Sequence, residues 1–492
     1  MTIFALHTRP MRLFSVLSGA AGVALVLAIA LPSLMAAAPA QARVVAGAHA
    51  SIAAGAWGAP TEVAANLNAG GTAAVNSVRC ASARNCSAGG YYVDSSGNLQ
   101  AFVVSEANGT WQPAIEVAAT LNTLGVGEVE AVSCGSAGNC SAGGYYSKSS
   151  SLQGAFVVSE VNGTWGPAIA VAANLNTGGE ARVLWVSCPS AGNCAAGGFY
   201  ANNAGHQQAF VIGEANGTWG PATEVAAALN TKADAAVNSV SCASAGNCSA
   251  GGYYNNNLNG MHGNSYAFVV SETNGTWAPA KEVAGALNTF GQAQTFAVSC
   301  ASAGNCSAGG YYTMNNFSLT QQAFAVNETN GTWRTATKVP GATGNGGTAA
   351  LDSVSCRSAG NCSGGGYYTP GSGQQAFVAN EKNGTWGSVA KVAGALNAGD
   401  YAWLYSVSCA SVGNCSAGGF YTNNAVPRQQ EAFVVNETNG TWRPATEMAG
   451  TLNAGGVASV NSVSCVAAGY CSAGGSYTDS SGHQQAFVAS KP

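Results

Sequence analysis

Ser239-Val240-Ser241-Cys242-Ala243-Ser244-Ala245-Gly246-Asn247-Cys248-Ser249-Ala250-Gly251-Gly252-Tyr253-Tyr254 is followed by a polar loop, then by Ala267-Phe268-Val269-Val270-Ser271-Glu272 and Asn274-Gly275-Thr276-Trp277. The same text returns along the chain. Trp57, Trp111, Trp165, Trp219, Trp277, Trp333, Trp386 and Trp442 stand 54, 54, 54, 58, 56, 53 and 56 residues apart. A period of this size marks stacked repeat units, none of which can bury its apolar surface alone. Gly, Ser, Thr and Asn punctuate every copy and leave no 3.6-residue apolar stripe, so strands are expected rather than helices. Each copy reads as four strands. They are the β-branched segment before the first cysteine, the segment from the second cysteine to the aromatic pair, the Ala-Phe-Val-Val run, and the Trp-x-Pro-Ala-x-Glu-Val run. Asn-Gly between the third and fourth predicts a tight I′ hairpin turn, which needs positive φ at both centres. Pro60, Pro113, Pro167, Pro221, Pro279 and Pro444 lack a ladder donor, which places the fourth strand at an outer edge.

The two ends of the array are complementary. Trp57 to Val63 is a fourth strand with no first three before it, and the last copy, Val463 through Val488, stops after its third. A ring uses both fragments, whereas a solenoid would need polar caps that the sequence does not show. The expectation is an all-β fold: an eight-bladed β-propeller of four-stranded antiparallel blades, closed by the N-terminal strand completing the last blade. An open β-stack and separate beads are the alternatives.

Composition agrees with a folded, exported chain. Of 492 residues, 47% are hydrophobic and 8% charged, the reverse of a disordered polymer. A net charge of -4, with no long basic run, argues against nucleic acid as partner. Sixteen cysteines point to an oxidising compartment. Arg9 and Arg12 precede an apolar stretch from Leu13 through Met35, which ends in Ala36-Ala37-Ala38-Pro39-Ala40-Gln41-Ala42. These are the parts of a secretory signal peptide, with Met11 as a second candidate start and an uncleaved membrane anchor as the alternative. The organisation read from the sequence is a signal peptide over 1–42, a lead-in over 43–56 and one eight-repeat domain over 57–492. A secreted monomer, free of the membrane after cleavage, is expected.

Gln208-Ala209-Phe210, Gln375-Ala376-Phe377 and Gln485-Ala486-Phe487 each follow a strand of the Gly-Gly-Tyr-Tyr type. These segments resemble the bacterial extracellular HAF-type repeats, and the resemblance spans residues 57 to 489. The Ser-Glu-x-Asn-Gly-Thr-Trp turns also resemble the Asp-box of sialidase-like propellers, with Asn near the family's Asp and a spacing one residue shorter. The resemblance implies an exported β-propeller-like repeat and no particular activity.

The cysteines form eight C-x5-C pairs: Cys80/Cys86, Cys134/Cys140, Cys188/Cys194, Cys242/Cys248, Cys300/Cys306, Cys356/Cys362, Cys409/Cys415 and Cys465/Cys471. Each brackets the loop between strands one and two, so intra-hairpin disulfides are expected. Zinc would need four ligands, which one copy does not supply, and no metal or cofactor is expected. His7, His49, His206, His262 and His483 are spread so that no two share a copy after cleavage. Arg79, Arg84, Arg182, Arg334, Arg357, Arg428 and Arg443 occupy unlike positions, which leaves the sialidase resemblance without catalytic residues. Glu106, Glu160, Glu214, Glu272, Glu328, Glu381 and Glu437 precede the Asn-Gly turns and are expected in solvent or on turn amides. Asp94 and Asp479 open Asp-Ser-Ser-Gly loops, where an Asx turn is expected ahead of a weak calcium site. Asn-Gly-Thr matches a glycosylation sequon, but the turn explains it as well.

Length variation is confined to one place. Between the aromatic pair and Ala-Phe lie 8, 8, 8, 12, 10, 7, 10 and 8 residues, which accounts for the whole spread of the tryptophan intervals. In a meander this loop shares one face with the inter-blade linkers, and insertions confined to one face mark a binding face. The longest loops are Asn255–Tyr266, Thr313–Gln322 and Thr422–Glu431, rich in groups that hydrogen-bond to uncharged polar ligands. Tyr92, Tyr146, Tyr200, Tyr254, Tyr312, Tyr368, Tyr421 and Tyr477, at the ends of the second strands, are the candidate binding residues, with core packing as the competing role. A binding or adhesion module for glycan or another cell-surface polymer is the leading functional reading. A glycan-cleaving enzyme on the same scaffold and a purely structural surface protein are the alternatives.

Overall fold

The computed structural model describes residues 56–491, apart from 151, 231–232, 257–263, 290, 315–319, 343–346 and 372. The segment read as signal peptide, 1–42, and the lead-in read over 43–56, except residue 56, lie outside the described residues. All regular structure described is β. In blade 1, strand A is Ala73–Ser82, strand B Asn85–Val93 and strand C Leu99–Ala107, with an outer strand D in two pieces, Thr110–Trp111 and Ile115–Val117. Six further sheets repeat this order, with A strands Glu128–Ser136, Ala181–Ser190, Ala235–Ser244, Ala293–Ser302, Ala349–Ser358 and Ala402–Ser411.

Blade 8 takes A, B and C from Ala458–Ala467, Tyr470–Thr478 and Gln484–Lys491, and its D strand from Thr61–Val63. The register of that closure is Thr61↔Val488, Glu62↔Phe487 and Val63↔Ala486. Gly58 N–H donates to Ser490 O at 2.9 Å, and Trp57 Nε1 donates to Asn436 Oδ1 at 3.3 Å. The A strands pack side by side around the axis and the D strands face outward. The fourth strand is not continuous as expected. It breaks after the tryptophan, where Gln112 N–H turns back to Ser105 O at 2.9 Å; the blades with Thr335 and Ser388 in place of proline break at the same point, so the break does not depend on proline. Both pieces still lie on the outer edge.

The hairpin turns follow the sequence. Asn108, Asn162, Asn216, Asn274, Asn330, Asn383 and Asn439 all have positive φ, as do the glycines after them, which is the I′ geometry.

The eight expected disulfides are formed: Cys80–Cys86, Cys134–Cys140, Cys188–Cys194, Cys242–Cys248, Cys300–Cys306, Cys356–Cys362, Cys409–Cys415 and Cys465–Cys471, with Cα separations of 3.8–4.1 Å. Cys242 and Cys248, for example, are direct cross-strand partners. Their setting differs from the simple loop clasp read in the sequence. The second cysteine of every pair, Cys86, Cys140, Cys194, Cys248, Cys306, Cys362, Cys415 and Cys471, is buried. The reason is that it begins strand B on the side facing the preceding blade. There the sulfurs of Cys86, Cys140, Cys194, Cys306, Cys362, Cys415 and Cys471 lie 3.3–3.4 Å from the hydroxyls of Ser472, Ser87, Ser141, Ser249, Ser307, Ser363 and Ser416 respectively. The disulfides thus pack into the joints between blades as well as closing their own hairpins.

Packing between blades explains the low charge. Val75, Val78, Tyr92 and Phe102 of blade 1 are buried against Ala486 and Val488 of blade 8, so each sheet has two apolar faces. The Gly-Gly pair in strand B permits this approach. A Cβ on Gly89 would meet Val129 of the next blade at 2.6 Å, and one on Gly90 would meet Ala74 O at 1.9 Å. Serines then stitch neighbouring A strands. Ser133, Ser187, Ser241, Ser299, Ser355, Ser408 and Ser464 each accept the cysteine N–H of the following blade at 2.9–3.0 Å. The eighth position of that ring holds Arg79.

Candidate binding face and central channel

The B–C loops and inter-blade linkers share one face, here the loop face. The disulfide turns and Asn-Gly turns share the other, the turn face, where Gly275 N–H donates to Gly246 O at 2.9 Å and ties the two turns of one blade together. On the loop face, Asp94 Oδ1 accepts Ser96 N–H at 2.8 Å and Asn98 N–H at 2.9 Å, while Gln100 donates to Oδ2 at 3.2 Å. Asp479 does the same with Ser481, His483 and Gln485. Asn202 and Asn423 build equivalent turns with a neutral amide. The Asx reading therefore holds. Backbone N–H groups and glutamine amides satisfy the Asp94 and Asp479 carboxylates and keep both below the usual range. Residues 257–263 and 315–319, in two of the three longest loops, lie outside the described residues.

Tyr92, Tyr146, Tyr200, Tyr254, Tyr312, Tyr421 and Tyr477 are buried against the preceding blade, and Tyr368 is half-buried. Their hydroxyls reach outward to D-strand carboxylates: Tyr92 to Glu116 at 2.8 Å, Tyr200 to Glu224 at 2.7 Å, Tyr254 to Glu282 at 2.6 Å and Tyr421 to Glu447 at 2.9 Å. Each sits in its own blade, and no two come together. Alternation along strand B sends the neighbouring ring the other way. Tyr145 lies under Arg182 of the next blade at 4.1 Å, and Tyr367 meets Trp403 of the next blade at 4.3 Å.

Those inner rings converge at the channel. In every A strand the register with strand B slips twice, once beside the disulfide turn and once mid-strand, where one residue is bulged: Asn76, Glu130, Leu184, Asn238, Phe296, Asp352, Tyr405 or Asn461. The asparagines reach along the inner rim to a neighbouring carbonyl: Asn76 to Val129 O, Asn238 to Thr295 O and Asn461 to Val75 O, at 2.7–3.0 Å. Blades 5 to 7 contribute an aromatic cluster of Phe296, Tyr311, Tyr367, Trp403, Tyr405 and Phe420. Buried Asp352 accepts the Trp403 indole N–H at 2.7 Å. Tyr405 is half-buried, and Tyr401, tilted against Phe420 with ring centroids 5.7 Å apart, is 44% exposed at the mouth.

The opposite arc, blades 1 to 3, is polar. Glu128 accepts from Asn76 at 2.5 Å and from Tyr145 at 3.1 Å, Glu130 is half-buried beside them, and Arg182 lies 3.9 Å from Glu180. Burial raises the Tyr145 hydroxyl pKa, with Glu128 adding to the effect. The inner-ring positions were not singled out in the sequence. The one available signal was that they vary between copies while their neighbours repeat.

The repeated glutamates are a correction. All but Glu272 are buried, and none bonds the turn amides as expected. Glu160 accepts Ser105 at 2.7 Å and Ser87 at 3.2 Å from the preceding blade, and Glu214, Glu328, Glu381 and Glu437 repeat this on their own preceding blades. Trp165 Nε1 joins the network at Ser105 Oγ, 3.0 Å. These carboxylates hold the ring together. Glu381 also lies near Cys356 and Cys362, but both sulfurs are in the disulfide, so the trio offers no metal site. In an outer-rim cleft of about 410 Å³ between blades 4 and 5, Lys281 donates to Trp333 O at 2.9 Å and Glu282 accepts from Tyr254.

Another missed residue explains the Gln-Ala-Phe motif. Asn122 of the linker donates to Gln100 Oε1 at 2.7 Å, and Asn68 to Gln485, Asn230 to Gln208 and Asn397 to Gln375 do likewise. The glutamine thus anchors the linker that leads into the next blade.

No protein-family model matches the chain, and no curated protein matches it either. Solved structures do. Chaetomium thermophilum Sqt1, determined bound to the N-terminus of the ribosomal protein L10, superposes with TM-score 0.50 at 11% identity, over 87% of this chain and 98% of that one. A polysaccharide lyase of family PL25, an ulvan lyase, gives TM-score 0.42 at 11% identity, over 80% of this chain and 94% of that one. At such identity the Sqt1 likeness bears on the fold alone: the chain is an eight-bladed β-propeller.

Proposed function

We propose that this protein is an exported, non-enzymatic binding or adhesion module, and that its ligand is a glycan or comparable surface polymer engaged at the loop-face mouth of the channel. The observation that carries the reading is the division of that mouth into an aromatic arc, ending in Tyr405 and Tyr401, and a polar arc of Asn76, Glu128, Glu130 and Arg182. Sugars present apolar C–H faces and hydroxyl edges, which such a pair of surfaces complements. Exposed apolar side chains add support. Leu124, Val126, Leu152, Met314, Tyr401, Val426 and Val457 all lie on the loop face, against three on the turn face. Eight disulfides suit the oxidising extracellular setting, and the HAF-type resemblance fits the same setting.

Screening on a glycan array followed by calorimetry tests the reading. Tyr401→Ala and Tyr405→Ala are each expected to cost about 1–2 kcal/mol of binding by loss of ring contact. Turnover of any polysaccharide would favour the enzyme alternative, for which Glu128, Glu130 and Asp352 are the acids at the channel. Binding unaffected by either substitution would move the site away from the mouth.

A further inference from the structure

At the turn-face end of the channel, two arginines break the repeat. Arg79 stands where seven copies have serine, and Arg357 stands where the others have Ala, Gly, Pro or Val. Arg357 reaches across two blades. Its Nε donates to Cys409 O of blade 7, and its Nη2 donates to Cys465 O of blade 8 at 3.0 Å. Cys465 adjoins Ser464, whose hydroxyl accepts the N–H of Cys80, the residue after Arg79. The chain of contacts Arg357–Cys465–Ser464–Cys80 therefore brings the two guanidinium-bearing strands to one spot on the channel rim.

No carboxylate compensates them among the described residues. The three ion pairs found there involve Arg182, His206 and His483. Glu381 and Glu437, in the cleft of about 230 Å³ beside Arg357, are held by Ser307 with Asn327 and by Ser363 with Asn380. Arg79 is solvent-accessible yet surrounded by protein, and burial together with the Arg357 charge pulls its pKa down. Two like charges placed together without a counter-charge cost free energy that a bound anion removes.

We propose that Arg79 and Arg357 form a binding site for a tetrahedral oxyanion of the sulfate or phosphate class at the turn-face mouth of the channel. Guanidiniums arriving from separate strands bridge an anion with three or four acceptor oxygens better than a planar carboxylate, which one fork satisfies. The site is independent of the loop-face reading.

The test uses substitutions the repeat already tolerates: Arg79→Ser, Arg357→Ala and the pair. Sodium sulfate is titrated at constant ionic strength, with phosphate, acetate and chloride as parallel arms, and followed by calorimetry and by melting temperature. Saturable binding of sulfate and phosphate is expected, weakened at least about tenfold in each single variant and absent in the pair. Acetate binding as tight as sulfate would overturn the tetrahedral assignment. An unchanged sulfate titration in the folded double variant, or equal responses to sulfate and chloride, would overturn the site itself.

Discussion

Removing residues 56–63 deletes the D strand of blade 8 while leaving every other blade intact. The loss can be worked from its contacts. Val63 is 6% exposed, and burying such a side chain is worth about 1.5–3 kcal/mol. The short ladder to Ala486–Val488, with Gly58 N–H on Ser490 O, adds about three hydrogen bonds at ~1 kcal/mol each. Tyr477 loses its contact with Glu62, and Trp57 its bond to Asn436. The total is about 5 kcal/mol. With an unfolding entropy of ~2.1 cal/mol/K per residue over roughly 430 residues, that corresponds to a fall in Tm of about 5–6 °C. Differential scanning calorimetry of the truncated chain, with and without a synthetic peptide covering 56–66, reads the effect directly. The peptide should restore most of the loss. A truncated chain that melts unchanged, and ignores the peptide, would refute ring closure by this strand.

Arg84 has φ of 64° at a position where every other blade carries a glycine, so Arg84→Gly should raise stability by about 0.5–1 kcal/mol in urea unfolding. Glu160→Ala strands the Ser87 and Ser105 hydroxyls and should cost about 2 kcal/mol, whereas Glu272→Ala, which faces Ala195 and Gly213 instead of serines, should cost less than half of that in the same measurement. Burial raises the pKa of Glu106, Glu160, Glu214, Glu381 and Glu437. For a carboxyl raised in the folded state, the unfolded chain ionises first, so stability falls as pH climbs from the ordinary Glu range near ~4.3 through the raised values. Melting temperature should accordingly drop as pH rises above the ordinary Glu range, and a rise there would contradict the burial of these acids.

The ring, the strand order and the disulfides were legible because their signals are local to one copy. Asn274-Gly275 states its own turn, and Cys242 with Cys248 states its own clasp. What lies across a blade boundary was not legible. The burial of Cys140 against Ser87 is one such case, since a C-x5-C pair reads as a loop clasp in any single copy. The misread glutamates fail for the same reason. Glu160 meets Ser87 and Ser105 across a boundary, a contact that repeats at nearly every joint and so looks like an ordinary surface feature. The pairing of Asn122 with Gln100 likewise serves the passage from one blade to the next. Tyr92 and its equivalents were singled out for their position beside the variable loops, but alternation aims them at the preceding blade and gives the channel to Tyr145, Tyr367 and their neighbours. Arg79 and Arg357 appeared scattered because only the closed ring makes them neighbours.

The serine–glutamate contact has a direction. Each blade offers serines on one side and a carboxylate on the other, so the ring is built like a cyclic oligomer from head-to-tail joints, with eight subunits fused in one chain. Such joints need not be equal. Between blades 3 and 4 the serines are replaced by Ala195 and Gly213, and Glu272 is left without them. The joint keeps Cys242 N–H on Ser187, the Tyr253 hydroxyl on Gln207, Gln207 N–H on Asp234 and Asn230 on Gln208, but it lacks the serine–glutamate contact. A closed ring has no frayed end, so the place where it first parts is chosen by its poorest joint. Here that joint lies between Ala195 and Glu272, half a circle from the strand that locks the circle shut.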